Sequence, residues 1–178
     1  LKVADVNMHM IFTGNPGTGK TTIARILAKY LKAIGALRGG QLVEVTRADL
    51  VGRYVGHTAP LTNQVIQSAL GGVLFIDEAY SLYRGGEDSF GLEAIDTLVK
   101  GIEDHRDDLV VILAGYSKEM ALFLTANSGL ASRFPNQIEF PDYTGAELLA
   151  ITQSIAKSKG YRLDDACAMP LVAFSDRR

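Results

Sequence analysis

The chain has 178 residues, of which 47% are hydrophobic, and it carries a formal net charge of −2. This composition allows one buried core with a small appended piece, and the weak charge disfavours a protein that coats nucleic acid. The longest apolar run, Leu109 to Gly115, is too short to cross a membrane. The single cysteine, Cys167, cannot form an internal disulfide, so we expect a reducing compartment such as the cytoplasm or a plastid stroma. Because the chain opens on Leu1, we also expect that a native N-terminal segment precedes it.

The first predicted elements are a buried strand, a glycine-rich loop and a helix. The strand covers His9 to Thr13, and the helix follows Thr21 with apolar residues at helical spacing. Between them, Gly14 to Thr21 fits the pattern G-x-x-x-x-G-K-[ST] at every fixed position. Strand, loop and helix stand in the order that a phosphate-binding loop requires, and the start of the helix adds partial positive charge.

Each fixed position of this loop has a chemical purpose. Glycines let the backbone approach the phosphates, Lys20 places a cation on the β and γ oxygens, and the Thr21 hydroxyl can bind Mg²⁺. The sequence therefore predicts that ATP and Mg²⁺ bind here. The residues expected to contact the nucleotide are Asn15, Pro16, Gly17, Thr18, Gly19, Lys20, Thr21 and Thr22.

Strands and helices then alternate along the chain. Helices are predicted after Thr58, which we expect to cap one that Pro60 opens, and around Leu92 to Ile102. This order predicts an α/β fold with a parallel sheet and helices on both faces. The further predicted strands are Leu42 to Thr46, Val73 to Ile76, Leu109 to Ala114 and Gln137 to Phe140.

A change of domain is expected near Asp142. Thr144 to Glu147 forms a capping box that begins another helix, and Pro170 interrupts the last helical stretch. We therefore divide the chain into an α/β ATPase subdomain at 1–143 and the start of an incomplete helical lid at 144–178.

Two acidic residues follow the most apolar predicted strand. Asp77 and Glu78 come directly after Ile76, and open α/β sheets carry their ligand chemistry beyond the carboxyl ends of strands. We expect Asp77 to hold Mg²⁺ and Glu78 to activate the attacking water. Such a pair is typical of an ATPase, and it disfavours a kinase, which would also need a site for the acceptor alcohol.

Beyond these two motifs, the chain resembles the AAA+ ATPases of the CbbX/CfxQ family nearly throughout, to about Lys159. That family includes red-type rubisco activase, the sporulation protein SpoVK and the related EccA-like ATPase domains. The resemblance implies a P-loop ATPase with Walker A and Walker B motifs, a helical lid and a ring, usually of six subunits. The segments that carry it are Arg47 to Pro60, Phe75 to Tyr80, Ile112 to Tyr116, Ser132 to Pro135 and Phe140 to Tyr143.

The resemblance also implies roles for residues outside the phosphate loop. Arg133 matches the arginine finger that reaches a neighbour's ATP, although it could be an ordinary surface arginine before a strand. The segment Tyr54, Val55 and Gly56 matches the central pore loop, although Tyr54 could instead anchor the core. Leu148 and Thr152 would approach the adenine.

Two assignments stay open at this level. Arg84 to Ser89 could be a second pore loop or an ordinary solvated loop. The residue that senses the γ-phosphate after the fourth strand could be Tyr116 or Ser117, since no asparagine stands there.

Our leading functional hypothesis is an ATP-hydrolysing hexameric ring that remodels a client protein and binds no nucleic acid. The alternative is a scaffold whose assembly depends on the bound nucleotide and which threads no substrate. Only the first hypothesis needs the Tyr54 segment. The sequence does not identify the client.

Overall fold

The computed structural model describes residues 6–141, 150 and 153–154. Its sheet has five strands in the order β2-β3-β4-β1-β5, and every neighbouring pair is parallel. The register places Met10 opposite both Ile112 and Asn136. The strands are β1 (Met10–Gly14), β2 (Leu42–Val45), β3 (Val73–Ile76), β4 (Val110–Gly115) and β5 (Asn136–Phe140).

Helices connect consecutive strands, as parallel pairing requires. A short 3-10 helix, Ala79–Leu82, also follows β3. The α-helices are α1 (Lys20–Ala33), α2 (Arg47–Leu50), α3 (Thr58–Ala69), α4 (Ser89–Asp104), α5 (Ser117–Ala126) and α6 (Ser128–Ala131).

The sheet separates two hydrophobic cores. Successive residues of a strand point to opposite faces, so Ile11 packs with α3, α4 and α5, whereas Phe12 packs with α1. Both faces being covered, β3 and β4 are buried along their whole length. The predicted fold class is confirmed.

Several predicted boundaries differ from the structure by a residue or two. β1 begins at Met10 rather than His9, and β4 runs from Val110 to Gly115. Thr58 does not cap α3 from outside: His57 is the N-cap, and the Thr58 hydroxyl accepts a hydrogen bond from the Gly52 amide at 3.0 Å.

The short helices α2, α5 and α6 and the 3-10 helix were not predicted. Elements of four residues, such as α2 and α6, are too short to show a helical period. The capping box at 144–147 and the boundary near residue 143 lie outside the described residues, so the division into two domains stays a prediction.

Candidate functional site

The phosphate-binding loop joins β1 to α1 through backbone conformations that side chains rarely adopt. Gly14, Gly17 and Gly19 have φ angles of 148°, 76° and 93°. A Cβ atom at Gly14 would also collide with the carbonyl oxygen of Phe140 in β5. Gly19 is the N-cap of α1, so the loop ends where that helix presents its free N–H groups. Glycine is therefore required by the shape of the loop itself.

Lys20 is held by the loop that it serves. Its Nζ donates to the carbonyl oxygens of Gly14 at 2.8 Å and of Asn15 at 2.9 Å. Partial burial lowers the pKa of Lys20, and the negative charge of Asp77 acts in the opposite direction. The buried Thr18 hydroxyl also donates to the Asn15 carbonyl, at 2.7 Å. These bonds hold the loop in a closed curve, and the Asp77 carboxylate is near enough to act on the Lys20 charge.

The other residues expected at the nucleotide lie along the same curve. Asn15, Pro16 and Gly17 are exposed at its tip, and Thr22 is half-buried in the first turn of α1. Leu148 and Thr152, expected at the adenine, lie outside the described residues.

Asp77 and Glu78 follow β3 at the carboxyl edge of the sheet. The Asp77 amide donates to the Val45 carbonyl at 2.9 Å, which extends the pairing of β3 with β2. Asp77 Oδ1 accepts from the Glu78 amide at 2.9 Å. Glu78 has φ 49°, the only positive φ of a non-glycine residue in the described part of the chain. Such a conformation is strained and is common at functional sites.

The residues at this edge fit a magnesium ion. Thr21 and Asp77 carry oxygen atoms, which are the ligands that Mg²⁺ prefers, and Mg²⁺ usually takes one or two carboxylates and completes its shell with phosphate and water. Thr21 donates to Glu44 Oε2 at 3.3 Å, and Glu44 also lies 3.8 Å from Arg25. Sequence reasoning missed Glu44, although it is the exposed polar residue in the otherwise apolar β2.

Arg133 lies at the opposite edge of the sheet. It precedes β5, whose first residue pairs with Met10 at the start of β1, whereas the phosphate loop follows the end of β1. Its Nε donates to Glu103 Oε1 at 2.7 Å, and its Nη1 contacts the Gly129 carbonyl. Arg133 thus lies on the far side of the sheet from the phosphate loop of its own chain.

The Tyr54 segment, which consists of Tyr54, Val55 and Gly56, lies exposed between α2 and α3. The residue exposures are 67% for Tyr54 and 88% for Val55, and Gly56 has φ 85°. The Tyr54 ring contacts the His57 ring edge to face, with centroids 5.5 Å apart. A cavity of about 460 Å³ lies beside it, lined in part by Pro60. The alternative that Tyr54 anchors the core is therefore wrong.

The two assignments left open by sequence remain predictions. In the 84–89 loop, Asp88 is not freely solvated, because it pairs with Arg47 and caps α4. Tyr116 is the N-cap of α5, and its ring centroid lies 6.2 Å from that of Tyr80. Ser117 is the first residue of that helix.

Within the described part of the chain, no helix is long and apolar enough to cross a membrane.

A sequence model of the ATPase family associated with various cellular activities (AAA) matches residues 10–142. A solved structure of the FIGL-1 AAA domain in complex with ADP has the same fold, with a TM-score of 0.56 and 21% identity. That match covers 85% of this chain and 49% of the FIGL-1 chain.

Curated relatives are more similar in sequence. The chain is 55% identical to Stage V sporulation protein K of Bacillus subtilis, over 92% of this chain and 51% of that protein. It is 49% identical to the chloroplastic ribulose bisphosphate carboxylase/oxygenase activase of Cyanidioschyzon merolae, over 100% and 61%. It is 50% identical to plasmid protein CbxX of Cupriavidus necator, over 97% and 55%. The chain thus spans between half and about three-fifths of the length of these relatives.

Proposed function

Because this chain belongs to the AAA family of ATPases and to its CbbX/CfxQ branch, we propose that it hydrolyses ATP with Mg²⁺ to remodel a client protein. The observation that carries the proposal is the meeting of two motifs at one edge of the sheet. Lys20 of the phosphate loop lies close enough to Asp77 for that carboxylate to influence its pKa, and Glu78 is the next residue. A cation for the phosphates, a metal ligand and a base for water are thereby adjacent.

The protein's own groups would act in a defined order. The loop amides and Lys20 bind the phosphates. Glu78 accepts a proton from a water molecule as the oxygen of that water attacks the γ-phosphorus. The bond from the γ-phosphorus to the bridging oxygen then breaks, and ADP and phosphate leave. Bound Mg²⁺, held by Thr21 and Asp77, would neutralise charge on the phosphate oxygens.

We propose that Arg133 is an arginine finger that reaches the ATP of the neighbouring subunit in a ring, most simply a hexamer. Its position at the amino edge of the sheet supports this, because its own phosphate loop lies at the carboxyl edge. Hydrolysis would then require assembly, with each ATP held between an Asp77–Glu78 turn and the partner subunit's finger.

The Tyr54 segment is the proposed contact with the client. An exposed aromatic ring beside a glycine with positive φ offers a large apolar contact on a short, adaptable loop. The activase relative makes rubisco the first client to test. We place the protein in a bacterial cytoplasm or a plastid stroma, in line with these relatives.

The test is phosphate release by the full-length protein, with and without ribulose 1,5-bisphosphate and an inhibited red-type rubisco. Mg-dependent hydrolysis supports the ATPase, and recovery of carboxylation supports rubisco as client. No hydrolysis by assembled protein would refute the ATPase proposal.

A matched pair of variants tests threading. Tyr54→Ala should abolish the release of the remodelled client. The melting temperature and most of the basal ATP hydrolysis should stay unchanged, because Tyr54 is exposed and is not one of the catalytic groups. Leu122→Ala is the control, since Leu122 is 65% exposed on α5. Unchanged release by the Tyr54 variant would favour a scaffold.

A further inference from the structure

Arg47 of α2 makes a half-buried ion pair outside the catalytic groups described above. Its Nη1 lies 2.7 Å from Asp88 Oδ2, and its Nη2 donates to Asp88 Oδ1 at 3.1 Å. Both side chains are only 17% exposed. The hydrogen bonds from Arg47 lower the pKa of Asp88, and Arg84 adds to this effect. The pair is therefore charged at neutral pH and fixed in a two-point geometry.

The same guanidinium also contacts the turn that carries Glu78. Arg47 Nη1 donates to the Ser81 carbonyl at 2.9 Å. Ser81 in turn donates twice to the Glu78 carbonyl, from its amide at 2.9 Å and from its hydroxyl at 2.7 Å. A continuous chain of hydrogen bonds thus runs from Asp88 through Arg47 and Ser81 to the backbone of Glu78.

A cavity of about 340 Å³ lies on one side of this chain, lined in part by Arg47, Glu78 and Ser81, and the other side is packed tightly against α4. A Cβ atom at Gly91 would collide with the Leu82 carbonyl and the Asp88 carboxylate, and would lie 3.0 Å from Arg47 Nη1. Asp88 also caps α4 by accepting from the Gly91 amide at 3.2 Å. Arg47 is therefore clamped between α4 and the 3-10 helix.

We propose that Arg47 is a positioning residue for Glu78. Glu78 adopts φ 49°, a conformation that persists only where surrounding contacts impose it. The bonds onto the Glu78 carbonyl supply that constraint, and Arg47 holds the residue that makes them. This inference rests on the proposed ATPase function, in which the direction of the Glu78 carboxylate decides the rate of water attack.

The experiment measures kcat for ATP hydrolysis and the affinity for ADP in the full-length protein. The variants are Arg47→Lys alone and Arg47→Lys combined with Glu78→Gln. A lysine keeps the charge opposite Asp88 but lacks the planar fork that bonds both Asp88 oxygens while its Nη1 also donates to Ser81. Arg47→Lys should lower kcat about ten- to a hundredfold, as small misplacements of a catalytic group do, with ADP affinity unchanged. Arg38→Lys is the matched control, because Arg38 pairs with Asp108 through two 2.9 Å bonds on an exposed surface.

The double variant separates positioning from a general structural role. If Arg47 acts through Glu78, Arg47→Lys should not slow the residual hydrolysis of Glu78→Gln any further. An equal fall of kcat in both backgrounds would overturn the proposal, and so would an unchanged kcat in the single variant.

Ser81→Ala keeps the inference testable if Arg47→Lys unfolds the protein. It removes the hydroxyl bond to Glu78 and leaves the ion pair untouched. It should lower kcat in the wild-type background alone, and a kcat equal to that of wild type would contradict the inference. Absence of hydrolysis in assembled wild-type protein would instead refute the ATPase proposal itself.

Discussion

The two edges of the sheet use polar residues in different ways. At the carboxyl edge, Lys20, Asp77 and Glu78 are grouped around a loop that needs three left-handed or otherwise unusual glycine conformations. At the amino edge, polar side chains satisfy the protein's own backbone: Asn136 donates to the Asn7 carbonyl at 2.8 Å and to the His9 carbonyl at 3.0 Å. One edge is shaped for a ligand and the other for stability.

This division follows from the parallel sheet. All five strands run in one direction, so their following loops, and the N-terminus of α1, meet at the carboxyl edge. The amino edge receives the ends of helices and must satisfy the first backbone groups of each strand. His9 does so when its Nδ1 accepts from the Val111 amide at 3.0 Å. Arg133 would be an exception, because it lies at the amino edge but is proposed to act on a bound nucleotide.

Arg133→Ala should therefore have the largest effect. If Arg133 reaches a neighbour's ATP, hydrolysis should fall about 10³- to 10⁵-fold although the residue lies far from its own phosphate loop. The measurement is phosphate release by assembled full-length protein, with the exposed Arg106→Ala as control.

Mixing separates a finger from a structural ion pair. Arg133→Ala subunits and Glu78→Gln subunits should recover some activity together, because a mixed interface pairs an intact Glu78 with an intact Arg133. Mixed rings seen by native mass spectrometry but without recovered activity would show that Arg133 only holds Glu103.

Glu78→Gln should show that the carboxyl edge separates binding from chemistry. Loss of the base should lower kcat about 10²- to 10⁴-fold, while ATP still binds because the phosphate loop is intact. Calorimetry with ATP and single-turnover hydrolysis measure the two quantities. Glu87→Gln, in the exposed 84–89 loop, is the control, and a wild-type rate in Glu78→Gln would exclude the base role.

Lys20→Ala should have the complementary effect at the same edge. Removing the cation should weaken ATP binding on the order of 100-fold, as expected for a hydrogen bond to a charged group. Isothermal calorimetry measures the dissociation constant. Lys29→Ala on the exposed side of α1 should leave it unchanged, and equal binding by both variants would argue against the loop as the phosphate site.

His9→Asn, at the amino edge, should change the pH dependence of the free energy of unfolding. Burial lowers the pKa of His9 from 6.5 to about 4, so the unfolded chain binds more protons between these values. Wild-type stability should then fall as the pH falls, by about 2 kcal/mol from this group between pH 6.5 and 5. An asparagine oxygen can accept the Val111 bond without titrating.

Urea unfolding at several pH values measures this difference. Asp88, whose pKa is lowered, adds an acid-dependent loss that the two proteins share, so the comparison isolates His9. Parallel pH profiles for wild type and His9→Asn would contradict the prediction.

The local spacing of residues was sufficient to predict part of this molecule. The phosphate-binding loop is one contiguous stretch, and so is the strand Val73–Ile76 with the acidic pair after it, so each motif can be read from neighbours within a few residues. The alternation of strands and helices likewise predicted a parallel sheet, because both periods are local properties of the chain. The α/β fold and the candidate ATP site could thus be predicted before the structure, and the AAA family was predicted from the resemblance of several segments.

The tertiary structure alone decided which distant residues meet. Packing of the elements brought Glu44 to Thr21 and Arg47 to the Glu78 turn, across separations of 23 and 34 residues. Exposure of Tyr54 was equally undetermined, since a tyrosine suits either a core or a surface. These contacts depend on how the elements pack, and no periodicity or motif within one element records that packing.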